Sequence, residues 1–126
     1  MKKELVIRQC KKCGATVEVI VDCNCGNCGI MCCGEQMESL VSNTVDASFE
    51  KHIPVVERVE DEIFVKVNHV MEKEHFIEWI CMVTEDKKCV KKLYPEQNAE
   101  TRFKYVKGAS VYAYCNKHGL WKTDVE

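Results

Sequence analysis

Only two prolines and six glycines stand in the 126 residues, which leaves little room for a long disordered stretch. An excess of basic charge is also missing. Residues 1–41 carry five basic and five acidic side chains, and residues 42–126 carry thirteen and fifteen. Neither part has the charge footprint of a nucleic-acid binder. Long apolar runs are lacking too: the longest, around Phe76–Val83, is broken by Glu78 and is too short to span a bilayer. After Met1-Lys-Lys-Glu4, only Leu5, Val6 and Ile7 precede Arg8, which is no signal-peptide core, so a cytoplasmic protein with no membrane partner is expected. No window shows a sustained helical period, and there is no internal repeat.

Cysteine, by contrast, is abundant. There are ten, seven of them between Cys10 and Cys33. In a secreted chain this density would mean disulfides, whereas in a reducing compartment it means metal ligands. The cysteine-dense segment ends near Met37, and a piece this short cannot bury enough apolar surface to fold without a staple. Short apolar runs at Leu5–Ile7 and Val17–Val21 suggest a little β-structure around the staple. Ser42-Asn43-Thr44 reads as a linker, which places a metal-held domain at 1–41 and a second domain at 42–126.

The second domain is a series of strand-like runs with turn signals between them: Ile53–Val59, Ile63–Val67, Phe76–Val83, Cys89–Leu93, Phe103–Val106 and Val111–Cys115. Ile63, Val65 and Val67 alternate onto one face, and Phe76–Val83 is apolar on both, as a central strand would be. Six or more strands at this spacing predict an all-β, immunoglobulin-like antiparallel sandwich.

The first metal site starts at Cys10-Lys-Lys-Cys13-Gly14, a chelating pair whose glycine permits a tight turn. Two more thiolates are needed, and two pairs offer them. Cys25 and Cys28 form a second C-x2-C-G knuckle and are favoured by spacing alone. Cys32 and Cys33 are adjacent, and neighbouring cysteines bind one ion only with an unusual backbone. Tetrahedral thiolates accept zinc or iron, so spacing does not choose the metal.

All four histidines, His52, His69, His75 and His118, fall in the second domain, where Cys115-Asn-Lys-His118 closes a strand. His69 and His75 bracket a charged loop that can bend both rings toward one point. Imidazoles with one thiolate suit iron, copper or zinc. A blue-copper site would want a methionine after His118, and none follows; four histidines also exceed such a site's needs. A two-centre electron carrier and a zinc-held interaction module are the remaining alternatives to an enzyme.

Glu50-Lys51-His52-Ile-Pro54, His69-Val-Met71, Glu74-His75-Phe-Ile-Glu-Trp79 and Cys115-Asn-Lys-His118-Gly-Leu-Trp121 resemble the neelaredoxin-like catalytic domain of the desulfoferrodoxins. These are two-domain superoxide reductases of anaerobic and microaerophilic prokaryotes. Cys10-x2-Cys13-Gly14 and Cys32-Cys33-Gly34-Glu-Gln-Met37 resemble the desulforedoxin-like N-terminal domain of the same family. The resemblance covers nearly the whole chain.

It implies a catalytic iron with His52, His69, His75 and His118 as equatorial ligands and Cys115 as the axial one. It also implies an N-terminal iron on Cys10, Cys13, Cys32 and Cys33, against the preference from spacing, with zinc still open there. Five protein ligands on a six-coordinate metal leave one position for substrate. Superoxide, a rubredoxin-type electron donor and a homodimer follow from the same likeness. Lys51 would attract the superoxide anion and help place protons, and Glu50 would become a sixth ligand after turnover.

In a regular strand Lys51 would point away from His52, so such a role requires Glu50 and Lys51 to lie on a loop. Val70 stands where the family often has proline, which is expected to loosen the His69–His75 loop without removing a ligand. Cys23, Cys25 and Cys28 are additional thiols in a lengthened segment. Trp79 and Trp121 read as packing residues, Glu74 and Glu78 as surface charges, Cys81 as a buried thiol and Cys89 as an exposed one.

Overall fold

The computed structural model describes residues 5–24, 29–44 and 49–126, the side chains of Phe49 and Glu50 excepted. The described residues divide into two compact units, one ending at Val41 and one running from Ser42 to Glu126.

Among its described residues the smaller unit holds five short strands: β1 Ile7–Gln9, β2 Thr16–Glu18, β3 Met31–Cys32, β4 Glu35–Gln36 and β5 Glu38–Ser39. β1 is the middle of a β2-β1-β5 sheet, and β3 and β4 form a separate ladder. Its buried apolar residues are Leu5, Ile7, Cys10 and Met37. So small a core does not hold a fold without a cross-link. The strand expected over Val17–Val21 stops at Glu18, and Ile20 and Val21 lie 83% and 85% exposed.

The larger unit opens with one helical turn, α1 Phe49–His52. Seven strands follow: β6 Val55–Val59, β7 Glu62–Lys66, β8 Ile77–Val83, β9 Lys88–Lys92, β10 Glu100–Lys104, β11 Ser110–Cys115 and β12 Gly119–Asp124. They pair antiparallel in two sheets, ordered β10-β7-β6 and β12-β11-β8-β9. The core lies between them: Ile63 and Val65 of β7 meet Ile77, Ile80 and Met82 of β8 and Val111, Ala113 and Cys115 of β11. The alternation of Ile63, Val65 and Val67 thus marks an inward face, with Glu62 and Lys66 turned to solvent.

Three features depart from the sequence expectation. Residues 49–52 form a helical turn, and the strand expected from Ile53 starts at Val55. The strand expected over Phe103–Val106 lies at Glu100–Lys104, where it pairs with all of β7. A last strand over Gly119–Asp124 was masked in the sequence by its mixed composition; pairing with the whole of β11 makes it a strand.

Asn43, in the expected linker, is tied to β12. Its side chain accepts from the Lys122 N–H (2.9 Å) and its own N–H donates to the Leu120 carbonyl (2.8 Å). Among the described residues no helix is long and apolar enough to cross a membrane.

Candidate metal centres

One donor atom from each of Cys10, Cys13, Cys32 and Cys33 lies within 4.8 Å of the other three. Cys10 and Cys13 flank a turn closed by the Gly14 N–H donating to the Cys10 carbonyl (3.0 Å). The Cys13 N–H also points at the Cys10 sulfur (3.5 Å). Cys32 ends β3, and Cys33 and Gly34 both occupy the left-handed region, with φ of 54° and 78°. That is the unusual backbone adjacent cysteines need. A side chain rarely adopts it, and two such residues in succession reverse the chain so both sulfurs face one point.

The Cys13–Cys32 and Cys32–Cys33 sulfurs are 3.6 and 3.9 Å apart. Thiolates placed tetrahedrally about 2.3 Å from one metal would stand about 3.8 Å apart. The amide of Cys13 is the main cause holding the Cys10 thiol down to about 7, while hydrogen bonds from Cys13 and Cys10 push Cys32 up to about 12. Four crowded sulfurs therefore resist sharing negative charge without a cation. The donor set fits a tetrahedral thiolate metal. Cys25 and Cys28, favoured by spacing alone, lie outside the described residues. Among the described residues no cysteine forms a disulfide.

The second cluster brings together His52, His69, His75, Cys115 and His118, whose donor atoms again lie within 4.8 Å of one another. The four rings close a circuit. His52–His69, His69–His75, His75–His118 and His118–His52 centroids are 4.7, 4.6, 5.0 and 4.8 Å apart, each pair edge to face. His118 Nδ1 faces His52 Nε2 at 3.0 Å, His75 Nε2 at 3.3 Å and Cys115 Sγ at 3.8 Å, and Cys115 Sγ lies 3.4 Å from His69 Nε2.

A single imidazole nitrogen carries at most one proton, so His118 Nδ1 cannot satisfy three such neighbours by hydrogen bonding. Ligand atoms at right angles about 2.1 Å from one metal ion stand about 3.0 Å apart. The donor set fits a metal with imidazoles and one thiolate around it.

Each donor is placed by its own element. His52 ends α1 and is buried; the fully buried Trp121 stacks on it at 5.0 Å. Thr123 Oγ1 donates to the carbonyl of Pro54 (2.7 Å), fixing the chain as it leaves this histidine. His69 turns its Nδ1 to the Val70 carbonyl, which leaves Nε2 free for the cluster. His75 sits where the loop from His69 closes on itself through reciprocal backbone bonds with Glu72 (3.0 and 3.2 Å).

Cys115 is the last residue of β11. Beside it the ladder to β8 slips: Tyr114 faces Trp79 but Cys115 faces Ile77, leaving Glu78 as the extra residue of a β-bulge. That bulge half-buries Glu78, which had read as a surface charge, and burial raises its carboxyl above the ordinary range. Glu74 is exposed.

Burial pushes the imidazoles of His69 and His75 below their ordinary range, and the neighbouring rings add to the effect. The neutral form that can bind a metal is thereby favoured. Burial likewise pushes the Cys115 thiol up, opposed by the backbone N–H groups of Lys117 and His118, which donate to its sulfur.

Lys51 is exposed on α1 and shares a groove of about 620 Å³ with Lys66, Asn68, His69 and Gln97. It is therefore off a regular strand. Glu50 stands on the same turn, and its side chain lies outside the described residues. Cys81 is buried in β8, and Cys89, expected exposed, is half-buried in β9.

Two positioning side chains were not assigned such a role from sequence. Asn116 bonds the segment entering β8, and Trp121, read as packing, also donates from Nε1 to the His118 carbonyl (3.0 Å). An asparagine inside a Cys-x2-His turn was a visible hint, since its side chain readily bonds nearby backbone.

The family model described as Desulfoferrodoxin matches residues 44–124. The desulfoferrodoxin of Syntrophotalea carbinolica is 41% identical, over 98% of this chain and 99% of that protein. That of Nitratidesulfovibrio vulgaris is 37% identical over the same shares. Among solved structures, the superoxide reductase of Treponema pallidum superposes with a TM-score of 0.73 and 32% identity, covering 95% of this chain and 98% of that one. Near-full-length similarity on both sides, together with the model match, makes this chain a member of the desulfoferrodoxin family.

Proposed function

We propose that the protein is a superoxide reductase, an oxidoreductase that reduces superoxide to hydrogen peroxide, and that His52, His69, His75, His118 and Cys115 hold its catalytic iron. The observation that carries the reading is the convergence of four imidazoles and one thiolate at a single point. When bound, ferrous iron supplies the one electron that superoxide must gain and a coordination position beyond the five protein donors.

The chain supplies the rest. Neutral imidazoles bind the metal in either oxidation state without adding charge. The Cys115 sulfur donates electron density, moderated by the amides of Lys117 and His118. Superoxide, one electron and two protons make one hydrogen peroxide, so proton delivery decides the yield. Lys51, cationic and on the groove beside His69, attracts the anion and orients a water that donates a proton. Glu50, by the family resemblance, would be a further carboxylate able to bind the metal.

Cys10, Cys13, Cys32 and Cys33 hold a second metal, read as iron by the family resemblance, with zinc as the other ion this donor set accepts. The same resemblance supports a rubredoxin-type electron donor and a homodimer, and a cytoplasmic role in detoxifying superoxide accords with the sequence reading.

Rapid mixing of the reduced, iron-loaded protein with superoxide tests the reading. Peroxide should form with no oxygen evolved, and azide should perturb the oxidised centre. Stoichiometric oxygen would mean dismutation, and a centre inert to both anions would mean a pure electron carrier.

A further inference from the structure

We propose that Asn116 is a positioning residue that holds the Cys115–His118 turn against the His75 segment and thereby sets the iron's reduction potential; the inference rests on the superoxide reductase reading above. Asn116 lies between the thiolate and the last imidazole, and its hydrogen bonds converge on one short stretch. Its Oδ1 accepts from the Phe76 N–H (3.0 Å), its Nδ2 donates to the Glu74 carbonyl (3.0 Å), and its backbone N–H donates to the Phe76 carbonyl (3.2 Å).

The position explains why a clamp is needed. The β8–β11 ladder slips between Tyr114 and Cys115, resumes at Cys115–Ile77 and ends there, so beyond Cys115 no strand pairing ties the turn toward His118 to the His75 segment. Asn116 restores a link there, and a side-chain amide is suited to it because it accepts and donates at once. The residues it grips, Glu74 and Phe76, flank His75. One side chain therefore fixes the spacing between His75 and the Cys115–His118 pair.

The redox consequence runs through the sulfur. The amides of Lys117 and His118, which donate to Cys115, belong to the turn that Asn116 holds. Hydrogen bonds to a thiolate withdraw charge from it and favour the reduced metal. A turn freed from the clamp loosens those bonds and the sulfur becomes the stronger donor. The potential then falls, and the thiolate-to-iron absorption moves to longer wavelength because the sulfur orbitals rise.

The full-length, iron-loaded Asn116→Ala and Asn116→Ser variants test this by redox titration, visible spectra and iron competition against a chelator. Asn116→Ala should show a lower potential, a band at longer wavelength and iron affinity reduced about tenfold or more. Asn116→Ser, whose hydroxyl still accepts and donates, should shift less in the same directions.

Ile80→Val, in the sandwich core, serves as the comparison for general loosening. A merely structural Asn116 predicts variants that resemble Ile80→Val, with a lower Tm and unchanged band and potential; that result overturns the proposal. Should Asn116→Ala not retain iron, an unshifted Asn116→Ser overturns it equally. Failure of the parent protein to yield peroxide would sink the enzymatic reading instead, a result separable from these spectra.

Discussion

Trp121 lies stacked on the imidazole of His52, 5.0 Å away at an interplanar angle of 23°, while its Nε1–H donates to the carbonyl of His118 (3.0 Å). One side chain thus supports two donors that are 66 residues apart in sequence. Trp121→Phe keeps a stacking ring but leaves the His118 carbonyl without that donor. It should lower stability by about 1–3 kcal/mol with iron retained. Trp121→Ala also opens a cavity and should cost about 3–5 kcal/mol. Chemical denaturation of both variants checks the ranking, and equal losses would mean that only the indole hydrogen bond matters.

Lys51→Ala should slow the encounter with superoxide by about tenfold and flatten its dependence on salt, since attraction of an anion is screened as ionic strength rises. Iron content should stay as in the parent, because Lys51 is exposed and outside the donor cluster. Stopped-flow rates at several salt concentrations measure this. An unchanged rate removes Lys51 from the mechanism.

Cys115→Ser should abolish or strongly shift the thiolate charge-transfer band of the catalytic iron, while Cys33→Ser should alter only the absorption of the Cys10–Cys13–Cys32–Cys33 centre. Visible spectra of the two variants, side by side, separate the centres. A band that survives Cys115→Ser would assign the ligand to a different cysteine.

Acid should weaken the larger unit in a defined direction. His69 and His75 are held below their ordinary range, chiefly by burial, so the unfolded chain binds protons there before the folded one does. Stability then rises with pH across that interval and falls as pH drops below about 6.5, the ordinary imidazole value, towards the lower folded values. Metal-free protein melted between pH 7.5 and pH 5.5 should show a declining Tm. A Tm that rises on acidification would contradict the burial argument.

Much of this was already legible in the chain. The cysteine density and the C-x2-C knuckle pointed to a staple, read as a metal, because a piece of about forty residues has too small a core to hold itself without a cross-link. The alternation of Ile63, Val65 and Val67 marked the inner face of a strand, because side chains alternate across a sheet whatever its partners are. Residue types and order were enough to nominate four histidines and a cysteine, and the family resemblance chose Cys32 and Cys33 over the knuckle that spacing favoured.

Other features depended on contacts between distant segments. Whether Cys32 and Cys33 can face one point turns on a left-handed Cys33 followed by a left-handed Gly34, a backbone state that composition does not reveal. The strand Gly119–Asp124 exists because β11 offers a ladder along its whole length. The half-burial of Glu78 follows from a one-residue slip between β8 and β11. Asn116 and Trp121 acquire their positioning contacts only when the folded chain brings His75 and His52 beside them. Local sequence determined which donors were available, and tertiary structure decided which of them meet, because they come from a helical turn, a loop and a strand end that only the folded chain brings to one point.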